Sequence, residues 1–113
     1  MRTREEAIAA CLRFPDAFED YPFGVDTSIA MRHRTNRRIF ALIFERDGKI
    51  WINVKAEPLR ADFWRDAYPA VVPGYHMNKR HWITIILDGS MSDDEVIQLI
   101  EDSYLLTQGK VGR

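Results

Sequence analysis

Residues 39–54 read IFALIFERDGKIWINV, and this stretch decides the fold. Its first six residues are all apolar, which is typical of a strand in the middle of a sheet. Asp47-Gly48 is a strong signal for a two-residue turn, because both central positions of that turn need positive φ. The stretch therefore predicts a central antiparallel hairpin, with strands at residues 39–44 and 49–54.

The segments before this hairpin predict an outer strand and a first helix. Residues 28–32 alternate apolar and polar side chains and predict the outer strand, with residues 33–38 as the tip that joins it to the central strand. Residues 14–24 mix aromatic side chains with acids and two prolines, which indicates a long connecting loop. A capping-box pattern at Thr3 and Glu6 begins a helix over residues 4–12.

The segments after the hairpin predict two more helices and a second hairpin. Pro58 begins a helix that Pro69 ends, and its apolar face is expected to point to the core. A turn at Pro73-Gly74 precedes strand candidates at residues 75–77 and 82–87, whose tip is residues 78–80. The four-residue spacings of the helix involve Leu59 and Phe63, then Arg60, Trp64 and Tyr68.

A second capping box, Ser92 with Glu95, begins the closing helix. The predicted order is a helix, three strands, a helix, two strands and a helix. Helices covering one face of an antiparallel sheet make a two-layer α+β sandwich. With 113 residues, the chain is expected to form a single domain, residues 1–113.

The composition excludes a protein that is basic throughout. Lys and Arg number 16 against 17 Asp and Glu, so the formal net charge is −1. Binding to nucleic acid therefore needs a local basic patch. The single cysteine, Cys11, excludes an internal disulfide and suggests a reducing cytoplasm. No apolar run is long enough to predict a membrane span, so no membrane partner is expected.

Motifs for catalysis are missing from the sequence. The six glycines form no phosphate-binding loop, and neither GxSxG nor HExxH occurs, so we expect no enzyme and no cofactor. His76 and His81 flank the second hairpin tip. Residues 67–87 supply no carboxylate to complete a ligand set with these two imidazoles, so no metal site is predicted.

Basic residues concentrate at the two hairpin tips and suggest binding to phosphates. The alternative is that the tips are ordinary solvated turns, since positive charge on an edge also discourages strand pairing between molecules. Nucleic-acid contacts of this kind are weak and salt-dependent. The candidate nucleic-acid residues are Arg32, Arg34, Arg37, Arg38, Lys79 and Arg80.

Two other kinds of partner remain open. Donors, acceptors and rings concentrate around the second tip, which suits a small anion or a stacked base, while hairpin packing is the competing explanation. The candidate pocket residues are Asn53, Lys55, Tyr75, His76, Asn78, His81 and Trp82. Residues 39–44 are apolar on both faces of their strand, so an uncovered sheet face would suit a homodimer or a chaperone-like protein or peptide adaptor.

Four segments resemble the MmcQ/YjbR-like family: FPDAFEDYPFG (residues 14–24), INVK (52–55), YPAVVPGYHMNKRHW (68–82) and IEDSYLL (100–106). The resemblance implies an α-β3-α-β2-α fold similar to type III secretion chaperones and to the CyaY/frataxin-like group. It also implies a "double wing" role in DNA binding, which is an analogy from fold.

The residues that carry the resemblance are those of the candidate pocket together with Lys79. The four arginines of the first hairpin depart from the family pattern. The first helix carries only Glu5 and Glu6, so the frataxin likeness implies no iron site.

Overall fold

The computed structural model describes residues 1–24 and 28–109 of the chain. It contains three helices and six strands in this order: α1 (Arg4–Cys11), β1 (Ala17–Asp20), β2 (Ile29–His33), β3 (Ile39–Arg46), β4 (Lys49–Lys55), α2 (Pro58–Ala67), β5 (Val71–Pro73), β6 (Trp82–Ile86) and α3 (Asp93–Thr107).

The strands form one antiparallel sheet in the order β1-β2-β3-β4-β6-β5. Helix α3 packs on β3 and β4, α1 packs on β3 and on α3, and α2 packs on β5 and β6. The core lies between helices and sheet, where Ile43, Ile52 and Ile85 are fully buried in register. The two-layer α+β prediction is therefore confirmed. We call the opposite side of the sheet, which no helix covers, the open face.

The strand count differs from the predicted one in the first half of the chain. Residues 14–24 are not a connector throughout, because Ala17–Asp20 forms the edge strand β1 and pairs with β2. The second hairpin is also shifted. Its first strand is Val71–Pro73, ahead of the Pro73-Gly74 turn, and residues 75–77 lie in the following loop. Proline at the end of β5 is compatible with an edge strand, which need not donate at that position.

A β-bulge interrupts the pairing of β2 with β3. Met31 is opposite Ala41 and Arg32 is opposite Ile39, so Phe40 has no partner residue across the pair. Two consecutive side chains, Phe40 and Ala41, are consequently buried under the helices.

Ser103 of α3 connects the bulge to the neighbouring strand. Its hydroxyl donates to the Phe40 carbonyl oxygen at 2.6 Å and accepts from the Lys55 backbone N–H at 2.8 Å. One buried side chain therefore satisfies backbone groups on both β3 and β4.

The helix ends follow the sequence closely, whereas the buried face of α2 does not. Both capping boxes, at Thr3 and at Ser92, are confirmed by their reciprocal hydrogen bonds. In α2, Ala61 and Trp64 are the buried residues. Leu59 and Phe63 point outward, with 84% and 62% of their surface exposed, so the prediction that this stripe faces the core is wrong. Within the described ranges, no helix is long and apolar enough to cross a membrane.

Candidate functional site

Both basic loops leave the same end of the sheet. Strand β2 ends and β3 begins there, and so do β5 and β6, because Lys55 at the end of β4 pairs with Trp82 at the start of β6. Three strand spacings separate the two loops, which corresponds to about 14 Å. We call this region the basic end; its cations are Arg34, Arg37, Arg38, Lys55, Lys79 and Arg80.

The cations of the basic end differ from their neighbour Arg32 in ion pairing. Arg32 donates from Nε to Asp20 at 2.7 Å and is therefore paired. For the six cations of the basic end, no ion pair is found among the residues that the structure describes. The carboxyl of Asp16 lies beside the first basic loop. Hydrogen bonds from Thr35 lower the pKa of this carboxyl, and the charge of Arg34 makes a smaller contribution in the same direction.

The loop after β5 folds back over the open face. The Asn53 side-chain amide donates to the Tyr75 carbonyl oxygen at 3.0 Å, and its oxygen accepts from the Thr84 hydroxyl at 2.5 Å. The Thr84 hydroxyl oxygen in turn accepts from the Tyr75 backbone N–H at 2.8 Å. Asn53 and Thr84 are fully buried, so this network holds the loop on the sheet.

The other pocket candidates divide between loop structure and solvent. Lys79 donates from Nζ to the Gly74 carbonyl oxygen at 3.1 Å, and Asn78 accepts from the Arg80 backbone N–H at 2.9 Å. His76 and His81 are exposed. Lys55 and Trp82 are half-buried and form a cross-strand pair. The structure thus brings Asn53, Tyr75 and Thr84 into contact. The hydrogen bonds among them occupy the side-chain amide of Asn53 and the hydroxyl of Thr84.

His33 belongs to the core rather than to the hairpin tip where the sequence places it. Its Nε2 lies 2.8 Å from the Thr107 hydroxyl oxygen, and that hydroxyl also bonds to the Ser103 carbonyl oxygen at 2.7 Å. Its Nδ1 lies 3.7 Å from an oxygen of Asp16. Burial lowers the pKa of His33, and the imidazole is neutral at pH 7. The ring therefore anchors the first hairpin to α3.

The open face carries arginines that lie over aromatic rings at cation–π distances. The guanidinium carbons of Arg34 and Arg37 lie 5.4 Å and 5.3 Å from the centre of the Phe18 ring. The guanidinium carbon of Arg46 lies 5.0 Å from the Trp51 ring centre and 4.6 Å from that of Tyr75. Sequence reasoning missed Phe18, Arg46 and Trp51. The Asp47-Gly48 turn is a signal that was available, because it puts Arg46 opposite Lys49 and so on the same face as Trp51.

A groove of about 310 Å³ lies between α2 and α3, on the helix side of the molecule. Trp64, Leu99 and Leu105 line it, and an ion pair from Arg60 to Asp102 at 2.9 Å closes one wall. The open face itself has no strongly exposed large apolar side chain among the described residues. The most exposed large apolar side chains are Leu59, Phe23 and Phe63, and two of these three belong to α2 beside the groove.

Metal ligands do not cluster in the described part of the chain: no group of three or more His, Cys, Asp and Glu residues is arranged to hold an ion. Cys11 is buried, and burial raises the pKa of its thiol to about 12. This thiol is therefore protonated and unreactive at neutral pH.

Comparison with known families and proteins gives consistent matches. The YjbR family model matches residues 12–106. The chain is 33% identical over 102 residues to the uncharacterized protein YbdF of Escherichia coli O157:H7, covering 90% of this chain and 81% of YbdF. It is 33% identical over 119 residues to the uncharacterized protein YyaQ of Bacillus subtilis strain 168, covering 96% of this chain and 100% of YyaQ.

Two crystal structures share the fold. The Deinococcus radiodurans protein DR2400 superposes with a TM-score of 0.84 at 31% identity, over 100% of this chain and 83% of that protein. A protein from Pseudomonas syringae superposes with a TM-score of 0.82 at 31% identity, over 94% of this chain and 99% of that one.

Proposed function

The chain belongs to the YjbR family, and we propose that it is a small non-enzymatic domain that binds nucleic acid weakly through phosphate contacts at its basic end. One observation carries the proposal: two basic loops leave the same end of the sheet, about 14 Å apart, with no ion-pair partner among the described residues. Unpaired Lys and Arg side chains at that separation can contact one phosphate backbone together. The lone buried thiol Cys11 supports a cytoplasmic location for this activity.

The distribution of charge also supports binding on the sheet side of the molecule. Residues 28–55 and 71–87, which form β2 to β6 and their hairpin loops, contain nine lysines and arginines but only two acids, Glu45 and Asp47. Helix α3, on the other side of the molecule, contains five acids and no lysine or arginine. A polyanion is therefore attracted by the sheet side and repelled by the helix side, although the net charge is near zero.

The test neutralises the two loops and measures binding against salt. The fourfold variant is Arg34→Gln, Arg37→Asn, Lys79→Gln and Arg80→Gln; asparagine is chosen because Arg37 has a φ of 64°. If four phosphates are neutralised, wild-type affinity should fall roughly 60- to 250-fold between about 50 and 200 mM salt. The variant should bind at least about 100-fold more weakly at 50 mM salt, measured by fluorescence anisotropy with labelled oligonucleotides.

A matched control separates the effect of the local basic patch on binding from the effect of the total net charge. Arg2→Gln, Arg4→Gln, Arg13→Gln and Arg65→Gln remove the same four charges from the helix side. This control should retain affinity within about threefold. Equal losses in both variants, or wild-type binding that does not change with salt, would contradict the proposal.

A protein partner is the second candidate, and the exposed helix α2 favours a second copy of this chain. Leu59 and Phe63 protrude beside the apolar groove between α2 and α3. Two α2 helices packed antiparallel about Phe63 would bring Arg60 of one copy opposite Asp66 of the other, twice. The surface is therefore self-complementary in charge as well as apolar.

Self-association is tested by sedimentation velocity over a range of concentrations. Wild type is expected to show a concentration-dependent dimer, and the double variant Leu59→Gln/Phe63→Gln is expected to stay monomeric. Phe23→Gln is the control, because Phe23 is 74% exposed but distant in sequence from α2. A monomeric wild type at all concentrations, or a dimer that survives the double variant, would reject this candidate.

A further inference from the structure

The open face carries rings and cations in an alternation that the phosphate contacts of the basic end do not require. By strand register, Phe18, Phe44, Trp51 and Trp82 all lie on this face. Tyr75 joins them from the folded loop, with its ring stacked on Phe44 at a centroid distance of 5.6 Å. All five side chains are half-buried, so each keeps part of its surface toward solvent.

The guanidinium groups above these rings add to the surfaces available for stacking. Both arginine planes and aromatic rings are surfaces on which bases stack. One group of such surfaces is Arg34 and Arg37 with Phe18, and the other is Arg46 with Trp51 and Tyr75. Register and strand spacing separate the two groups of surfaces by about 20 Å.

The charges between and around the two groups of surfaces are favourable to a phosphate backbone. Asp20 is the acid that register assigns to this face in the described strands, and Arg32 neutralises it. Lys49 and Lys55 lie on the same face at opposite ends of β4. Among the described residues, the ion-pair partner of Arg46 is its exposed neighbour Asp47, at 3.4 Å.

We infer that single-stranded nucleic acid lies across the open face, with bases stacked on the arginine–ring pairs at Phe18 and at Trp51 and Tyr75. The inference rests on the proposed function, since it takes a polynucleotide as the ligand and names the form that binds. In a duplex the bases are stacked and paired inside the helix, so their faces are not offered to the protein. Rings on a basic surface therefore select single strands, and they do so with little sequence preference.

The test compares a labelled strand of about 12 thymidine nucleotides with a duplex of the same length at about 50 mM salt. Wild type is expected to bind the single strand more tightly. Phe18→Leu and Trp51→Leu should each weaken single-strand binding roughly 5- to 150-fold and leave duplex binding unchanged. Phe23→Leu, which removes an exposed ring outside the strands of the sheet, is the matched control and should have no effect on either ligand.

Tryptophan fluorescence of the wild-type protein gives a second readout that needs no variant. Trp51 and Trp82 lie on the open face, whereas Trp64 is on the buried side of α2. The single strand should quench the tryptophan emission of wild type, because bases stack near two of the three indoles. Phe18 is on an edge strand, so its variant carries the test even if Trp51→Leu does not fold.

The outcomes separate the two proposals. Tighter binding of the duplex, or ring variants that bind the single strand like wild type while the fourfold loop variant does not, would overturn the inference and leave the proposed function standing. Absence of binding to either ligand at 50 mM salt would overturn both.

Discussion

Replacing Phe40 by alanine is expected to lower the free energy of unfolding by about 3–5 kcal/mol. Phe40 is fully buried at the β-bulge, and its ring makes edge contacts with Phe14 and Tyr104 at centroid distances of 6.3 Å and 5.1 Å. It also contacts the ring of His33. Alanine would leave a cavity among three rings from three different elements, and rigid rings collapse poorly into such a space. Urea denaturation followed by far-ultraviolet circular dichroism measures the loss.

The matched control for this substitution is Phe63→Ala, which removes the same ring from an exposed site. Its effect should stay within about 0.5 kcal/mol. Phe40→Leu keeps much of the buried volume and should fall between the alanine variant and wild type, which gives a value even if alanine prevents folding. A loss below about 1.5 kcal/mol for Phe40→Ala would mean that the bulge is not a packing centre.

The substitution Asn53→Ala is expected to cost about 2–4 kcal/mol and to loosen the loop of residues 74–81. The Tyr75 carbonyl oxygen loses the amide that donates to it, and the Thr84 hydroxyl loses the oxygen to which it donates. Thr84 is buried away from water, so its hydroxyl finds no replacement. The loop then loses its attachment to the sheet, so trypsin should cleave faster after Lys79 and Arg80. Denaturation and limited proteolysis under native conditions measure the two effects separately.

Asn78→Ala is the control for Asn53→Ala, because Asn78 is exposed and its side-chain oxygen accepts from the Arg80 backbone N–H in the same loop. It is expected to change stability by less than about 1 kcal/mol. If Asn53→Ala matched this control in both measurements, the buried amide would not be what holds the loop on the open face.

Local signals predicted the elements that depend on neighbouring residues. The central hairpin has the Asp47-Gly48 turn with both residues at positive φ, and each capping box places its polar pair three residues apart. Strand β1 has only four residues, and its composition is that of a loop. Its pairing with β2 comes from tertiary contacts, which override a weak local preference.

The outward orientation of the Leu59 and Phe63 side chains is also set by tertiary contacts. Four-residue spacing describes more than one stripe of α2, and spacing alone does not say which stripe meets the sheet. Ala61 lies on the same side of α2 as Trp64, three residues before it, and both are buried. A small side chain at that position lets the helix approach the sheet.

The candidate site was predictable in its charges but not in its shape. The basic tips follow directly from Arg34, Arg37, Lys79 and Arg80 in the sequence. The fold of the second loop over the sheet depends on bonds from Tyr75 to Asn53, 22 residues away, and to Thr84. Contacts at that separation leave no local pattern, so the position of the Tyr75 ring beside Arg46 and Trp51 became visible only with the structure.

The bonds of Ser103 tie the motion of α3 to that of the sheet. If α3 swung away alone, the carbonyl of Phe40 and the amide of Lys55 would lose their shared hydroxyl partner at once. That cost makes partial detachment unfavourable, so the last helix and the two central strands open together as one cooperative unit. The amide proton of Lys55 should therefore exchange with solvent no faster than those of the core strands.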